Sequence, residues 1–171
     1  MNLFINQRDR APCEFPVDQK WNLIYRASQD VFEASSFHAK CDNKPNTLII
    51  IKSTNGNVFG GYTEQTWNQT GNYKADPNSF IFSLINKKNK PIKMKLSRSY
   101  GIFCHSNYGP TFGGGHDLSI ADKSNANLDS YSFLGISYIH EDFNEGSNEA
   151  QSFLAGSIQF KVLEIEVYTK Q

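Results

Sequence analysis

The chain has 171 residues, 39% hydrophobic and 13% aromatic, and its 17 basic and 17 acidic side chains leave a formal net charge of zero. That length suits one domain able to bury roughly 70% of its unfolded surface, and so many aromatics exclude a disordered profile. Balanced charge with no Lys/Arg-rich amphipathic run excludes the basic footprint of a nucleic-acid binder and a membrane-surface helix.

Three widely spaced cysteines, Cys13, Cys41 and Cys104, form an odd set with no signal sequence ahead of them. They predict reduced thiols in an intracellular, cytoplasmic setting. The apolar run in Met1 to Arg8 is too short for a signal sequence. No stretch approaches the ~20 apolar residues of a membrane-spanning helix. Asn68-Gln69-Thr70 matches a glycosylation sequon, which goes unused in such a compartment.

Residues 1–18, polar and broken by Pro12 and Pro16, read as a lead-in or linker. Asp18 is placed to cap a helix in which Trp21, Ile24 and Tyr25 share one face. After a break at Ser28 to Asp30, a second helix is expected over about Glu33 to Lys40, with Ala34, Phe37 and Cys41 inward. Thr47 to Lys52, continuously apolar and β-branched, reads as a strand buried on both faces. Asn55-Gly56 signals a hairpin returning over Asn57 to Tyr62. Trp67 to Ala75 reads as a loop, Ser79 to Ile85 as a strand, and Asn86 to Pro91 as a basic turn. Ile92, Met94 and Leu96 alternate with Lys93, Lys95 and Ser97 as in a half-buried strand. Gly101 to His105 is a short strand, Phe112 to Ile120 the glycine segment plus a strand, Asp122 to Ser130 a polar loop, and Tyr131 to Tyr138 a strand. His140 to Glu149 is an acidic loop. In the last strand, Phe160 to Tyr168, the alternation slips between Val162 and Leu163, which predicts a bulge or burial on both faces. The pattern as a whole predicts an antiparallel α+β arrangement.

Two segments set an aromatic beside consecutive glycines. Phe112-Gly113-Gly114-Gly115-His116-Asp117 reads as a strand passing very close to a neighbour, and Val58-Phe59-Gly60-Gly61-Tyr62-Thr63 as a tight turn out of a strand. Together with Leu23-Ile24-Tyr25-Arg26, Phe37 to Asp42, Asp76-Pro77, Phe80 to Leu84, Phe153-Leu154-Ala155-Gly156-Ser157 and Phe160 to Val167, they occur in the order and spacing of a known family. The chain resembles the TLDc domain from about Trp21 to Tyr168. The resemblance implies two antiparallel sheets packed as a sandwich and flanked by short helices, within a domain at 19–171. It implies a non-enzymatic interaction module linked to oxidative-stress protection, with the vacuolar proton pump (V-ATPase) as a protein partner, and no cofactor. Such modules occur alone or in larger chains and assemblies. Val31 departs from the family, where many relatives have glycine, and this alters the turn there.

Single residues add little chemistry. His38 and Cys41, three apart on a helix, are suited to one ligand or a Cys–His pair; the simpler reading makes Cys41 a buried small hydrophobe and His38 a surface or capping residue. Cys104 and His105, adjacent on a strand, diverge. His116-Asp117 suggests a base and its orienting carboxylate, but a structural Asp117 bonded to tight backbone is favoured. Gly113, Gly114 and Gly115 lack the flanks of a phosphate loop. His38, Cys41, Cys104, His105 and His116 show no zinc spacing, so no metal is expected. Glu141, Asp142 and Glu145 are expected to be solvated, a cation or a basic partner being the alternative. A buried Glu164 or Glu166 needs a partner. The glycines Gly60, Gly61, Gly113 to Gly115 and Gly156, with His116 and Asp117, are expected to be structural, and no catalytic residue is expected. Two alternatives stay open: direct reaction of Cys41 or Cys104 with peroxide, and a structural role in a cytoskeletal or membrane-associated complex.

Overall fold

The computed structural model describes residues 20–170, and their elements run in the order β1 (Trp21–Arg26), α1 (Ala27–Asp30), α2 (Ala34–Cys41), β2 (Thr47–Ser53), β3 (Val58–Thr63), β4 (Thr70–Ala75), β5 (Phe80–Ile85), β6 (Ile92–Leu96), β7 (Tyr100–His105), β8 (Tyr108–Phe112), β9 (Leu118–Ala121), β10 (Ser130–Ser132), β11 (Tyr138–Ile139), α3 (Asn148–Phe153), β12 (Gln159–Phe160) and β13 (Val162–Lys170). The lead-in at 1–18, the Asp18 cap and Cys13 lie outside the described residues. Seven strands form one sheet in the order β1-β13-β2-β3-β5-β6-β11, and six form another in the order β12-β10-β9-β8-β7-β4. Neighbouring strands pair antiparallel throughout.

The apolar run of β2 explains the layering. Ile49 and Ile51 point into a core that also holds Phe59 and Ile81 from the same sheet and Ile102, Phe112, Leu118 and Ile120 from the other. Leu48 and Ile50 point the opposite way, into a second apolar cluster with Val58, Phe82, Leu84 and Tyr168. A strand with apolar side chains at consecutive positions is what burial on two faces demands. The hairpin after it turns at Gly56, whose φ of +88° favours glycine. The hairpin tip also serves α3. Asn55 Nδ2 donates to the Ala155 carbonyl at 3.0 Å and Asn57 Nδ2 to the Leu154 carbonyl at 3.0 Å, satisfying acceptors that a helix end leaves open. At the other end, Ala150 N–H donates to Ser147 Oγ at 3.2 Å, an N-cap. The expected bulge in β13 is present: the register shifts between Val162 and Glu164, and Leu163 stands 53% exposed.

Several expectations are corrected. Trp21 to Arg26 is a strand, not a helix. Its pairing with β13 shifts between Leu23 and Tyr25, so Ile24 is an extra residue; a bulge in a strand reproduces the i, i+3, i+4 spacing of a helix. Thr70 to Ala75 is a strand, not a loop. It is the outermost strand of its sheet and exposed at every position but Lys74, so its polar composition is that of a solvated edge. Tyr131 to Tyr138 divides into two short strands in different sheets. The two glycine segments exchange roles: Val58 to Thr63 is the strand in close contact, and Gly113 to Asp117 is the turn. The molecule is mostly antiparallel β, and the flanking helices are minor, with three of four, eight and six residues among the described residues.

Both buried glutamates of β13 have partners. Glu166, fully buried, meets Arg26 Nη2 at 3.0 Å and accepts from Tyr168 Oη at 2.8 Å. Glu164 accepts from Ser28 N–H at 3.0 Å and from the Ser28 hydroxyl. These bonds hold α1 in place, and α1 ends on Val31, whose φ of 76° and ψ of 145° suit glycine alone. Tyr25 Oη donates to the Val31 carbonyl at 2.8 Å and keeps it there. Val31 is 57% exposed, so its side chain gains little from packing in return for this strain. Val31→Gly should therefore raise stability by about 1 kcal/mol, the relief of about 1–3 kcal/mol of backbone strain less the extra chain entropy of glycine. Urea unfolding reads it as a higher midpoint at unchanged slope; an equal or lower midpoint refutes the strain.

Candidate functional site

Strand parity in β7 creates the surface of interest. Ile102 and Cys104 point into the core and are fully buried. Phe103 and His105 must then point outward. Tyr73 of β4 lies in register with Phe103, their ring centroids 4.6 Å apart. Tyr100 packs on Tyr73 at 5.2 Å, Tyr108 of β8 on His105 at 5.4 Å, and Tyr131 of β10 on Phe133 at 5.1 Å. His116 lies among them, stacked on Phe103 at 4.8 Å and on Tyr131 at 6.4 Å. Its ring nitrogens meet two phenols, Nδ1 with Tyr131 Oη at 2.8 Å and Nε2 with Tyr73 Oη at 3.3 Å. The result is a continuous array of eight rings on the outer side of the six-stranded sheet. Tyr73, Tyr100 and Phe133 are 41%, 47% and 36% exposed. Burial among rings holds the His116 proton affinity below the ordinary histidine value, which favours the neutral imidazole and with it an uncharged surface.

The turn that presents His116 is built by its neighbours. Gly113 has a φ of +91°, and a Cβ there would strike the Asp117 carboxylate. His116 has a φ of 60°. Asp117 is fully buried and points away from His116 into the loop at 135–138. Its Oδ1 accepts from the backbone N–H groups of Gly135 at 3.1 Å, Ile136 at 2.9 Å, Ser137 at 2.9 Å and Tyr138 at 3.0 Å, and its Oδ2 from Ser137 at 2.9 Å. Burial pushes this carboxyl up and the four amides pull it down, burial being the larger effect. Gly114 N–H donates to Ser137 Oγ at 2.9 Å. Gly115 leaves room for Ile136, since a Cβ there would approach its Cγ2 to 2.6 Å. The glycine turn and the loop at 135–138 are thus one unit, with the Asp117 carboxylate at its centre.

The remaining candidates are spread through the molecule. Gly61 faces the core, where a Cβ would approach Phe112 Cζ to 2.6 Å, and Gly60 faces the opposite way, where one would strike the Ile49 carbonyl oxygen. Gly156 follows α3, at a φ of +86° beside Asn55. His38 is buried, not on the helix surface. Its Nδ1 meets Asp42 at 2.7 Å and its Nε2 the carbonyls of His105 and Tyr108. Cys41 and Cys104 are free thiols, fully buried. Burial pushes both thiols up, and the charge of Asp42 adds to it. Among the described residues, no group of three or more His, Cys, Asp or Glu side chains could hold a metal ion. The acidic loop is tied to this chain's own cations: Lys88 Nζ of the basic turn lies 3.5 Å from Asp142 and 4.5 Å from the Phe143 ring centroid, and Arg98 Nη2, beyond β6, lies 3.0 Å from Glu145. Exposed pairs of this kind add little stability.

The sequence does not show the aromatic array, because the polar composition around Tyr73 reads as a loop. Reading β4 as a strand paired with β7 would have set Tyr73 beside Phe103.

Two measurements check this description. Asp117→Asn puts an amide NH2 or a single acceptor where four N–H groups converge, and should cost about 2–4 kcal/mol in urea unfolding; a cost below about 0.5 kcal/mol would show that the carboxylate does not organise the loop. Iodoacetamide labelling followed by peptide mass spectrometry should leave Cys41 and Cys104 unmodified in the folded protein and label both on unfolding. Native-state labelling at the rate of a free thiol would contradict their burial.

Comparison with known proteins identifies the family. A family model described as the TLDc domain matches residues 6–171. The "MTOR-associated protein MEAK7" of Gallus gallus is 28% identical over 83 residues, 48% of this chain and 17% of that protein. The protein of the same description from Xenopus laevis is 31% identical over 74 residues, 41% of this chain and 15% of that protein. The matched stretches thus span less than a fifth of these relatives. With the family match running over almost its whole length, the chain belongs to the TLDc domain family.

Proposed function

We propose that this TLDc module is a non-enzymatic interaction domain that docks on a protein partner through the aromatic side of its six-stranded sheet. The observation that carries this reading is the array of eight rings, several of them substantially exposed, on one side of a rigid sheet. Tyrosine and phenylalanine supply large apolar area at little conformational cost and are enriched in interface cores. Contiguous exposed aromatic surface marks a site of association more often than an accident of folding. The similar MEAK7 proteins are described as MTOR-associated, a description that also names association with another protein. The resemblance to TLDc proteins supplies the partner proposed here, the V-ATPase, and the setting, inside the cell and in protection against oxidative stress. Direct peroxide chemistry is the weaker reading, because the thiols of Cys41 and Cys104 are buried and held protonated.

A pull-down of assembled V-ATPase with the purified protein, in several nucleotide conditions, tests the reading. The wild-type chain should retain the pump, and a Tyr73→Ser, Tyr100→Ser, Phe133→Ser variant should retain about tenfold less, a loss of about 1.4 kcal/mol. No retention in any nucleotide condition removes the pump as partner. Equal retention by the variant removes the aromatic surface as the docking site.

A further inference from the structure

One buried histidine faces oxygen on every side. His38 sits in the last turn of α2, 3% exposed. Its Nε2 is 3.0 Å from the carbonyl oxygen of His105 and 3.1 Å from that of Tyr108. Its Nδ1 is 2.7 Å from Oδ1 of Asp42. The carbonyls only accept, and so does an ionised carboxylate. A neutral imidazole has one N–H and one lone pair. Either tautomer then aims its lone pair at oxygen, at the carboxylate or at the carbonyls. One additional proton removes the conflict, whether it resides on the ring or on the Asp42 carboxyl. Asp42 is fixed in place: its Oδ2 accepts from Gln69 Nε2 at 3.0 Å, and its N–H donates to the His38 carbonyl at 3.0 Å. The C-terminal end of a helix also favours a cation.

We infer that the His38–Asp42 pair is a proton-loaded latch, tying the end of α2 to the turn between β7 and β8 and releasing that turn when the proton leaves. The two carbonyls it holds belong to His105 and Tyr108, whose rings are neighbours in the aromatic array on the other side of the sheet. The latch therefore fixes the backbone from which part of that array projects. Its relevance to docking rests on the function proposed above; the latch itself does not.

Among the described residues, the groups around it are few. From α2 come the Cys41 thiol and Lys40, which is exposed and paired with Asp30 at 3.1 Å; Lys44 follows in the next turn. From β7 come the Cys104 thiol and the His105 imidazole, whose Nδ1 accepts from Asn107 N–H at 3.1 Å. From β8 comes the Tyr108 phenol. The Tyr25 phenol of β1 packs on Phe37, which in turn packs on His38. Both thiols are held protonated, so Asp42 is the carboxylate that balances the ring.

Nuclear magnetic resonance on the whole chain tests this in three readouts across a pH series: the His38 ring 15N shifts, the Asp42 carboxyl 13C shift and the amide exchange of residues 104–109. At neutral pH the pair should show both ring nitrogens protonated, or one of them together with a protonated Asp42. Exchange at 104–109 should accelerate about tenfold or more as that proton is lost, whereas Asp42→Asn, whose amide N–H can donate to Nδ1 while Nε2–H serves the two carbonyls, should hold the turn without the extra proton and show slow exchange that does not follow the pH. His38→Leu should exchange fast at 104–109 without pH dependence; if that variant does not fold, the wild-type series decides alone. A neutral ring beside an ionised Asp42 at neutral pH, or exchange that ignores the titration, overturns the latch. Failure of the pump to associate leaves these readouts unchanged.

Discussion

The ring of Phe112 lies on the bare backbone of Gly61, and the two sheets meet through that contact. Phe112 belongs to β8 and Gly61 to β3, on opposite sides of the core. Any side chain at Gly61 would occupy the space of the ring. Trp67 at 5.7 Å and Tyr138 at 6.3 Å pack edge-on against the same ring, an arrangement aromatic quadrupoles favour. Behind Gly61, Gly60 lies against the Ile49 carbonyl and the ring of Phe82. β3 thus carries two consecutive positions without side chains, one for each face of its sheet. Directly after Phe112 the chain enters the turn that buries Asp117, and Asp117 collects the loop leading to Tyr138. Tyr138 Oη then meets Ser79 Oγ and the Gly101 carbonyl, both at 2.7 Å. Core contact, turn, carboxylate and loop form one closed circuit, so a change at any member is felt by the others.

That circuit also decides what the surface offers. With Ile102 and Cys104 required by the core, alternation leaves Phe103 and His105 no direction but outward. The same parity that withdraws a thiol from solvent sets aromatic rings on it. A reactive cysteine and a docking surface are therefore opposed outcomes of a single strand register, and β7 takes the second. His116 adds to the ring array because the turn holds it at a positive φ directly over Phe103.

The strands with strong local signals were legible in the sequence: β2 from its apolar run, β6 from its lysine alternation, the first hairpin from Asn55-Gly56, and the bulge in β13 from the slip at Leu163. The elements misread were those whose pattern is set by a partner strand. Ile24 is displaced by pairing with β13, and the resulting spacing imitates a helix. β4 is polar because it is an edge, and nothing within the strand itself distinguishes it from a loop. The glycine segments were legible as places of close packing, while their assignment to strand and turn depended on which backbone came near. Asp117 was legible as a structural carboxylate, but its donors lie 18 to 21 residues away, beyond any local pattern. The ring array needed β4 to be a strand before it could be seen.

Glu164, Glu166, Asp117 and the His38–Asp42 pair share one placement. Glu164 and Glu166 anchor the α1 turn and Arg26, Asp117 anchors the loop at 135–138, and His38 with Asp42 anchors the turn after β7. None of these side chains belongs to the apolar clusters. Each bonds to backbone or polar groups where regular pairing stops, and supplies the partners that a strand or helix would otherwise provide. A buried charge is expensive unless fully bonded, so its position is sharply specified, and so is that of the loop wrapped around it. Apolar packing holds the two sheets together but tolerates small rearrangements; directional bonds to a buried charge tolerate far fewer. A recognition surface on the rim of a β scaffold needs loops that keep one shape, and here buried ions rather than helices supply that rigidity.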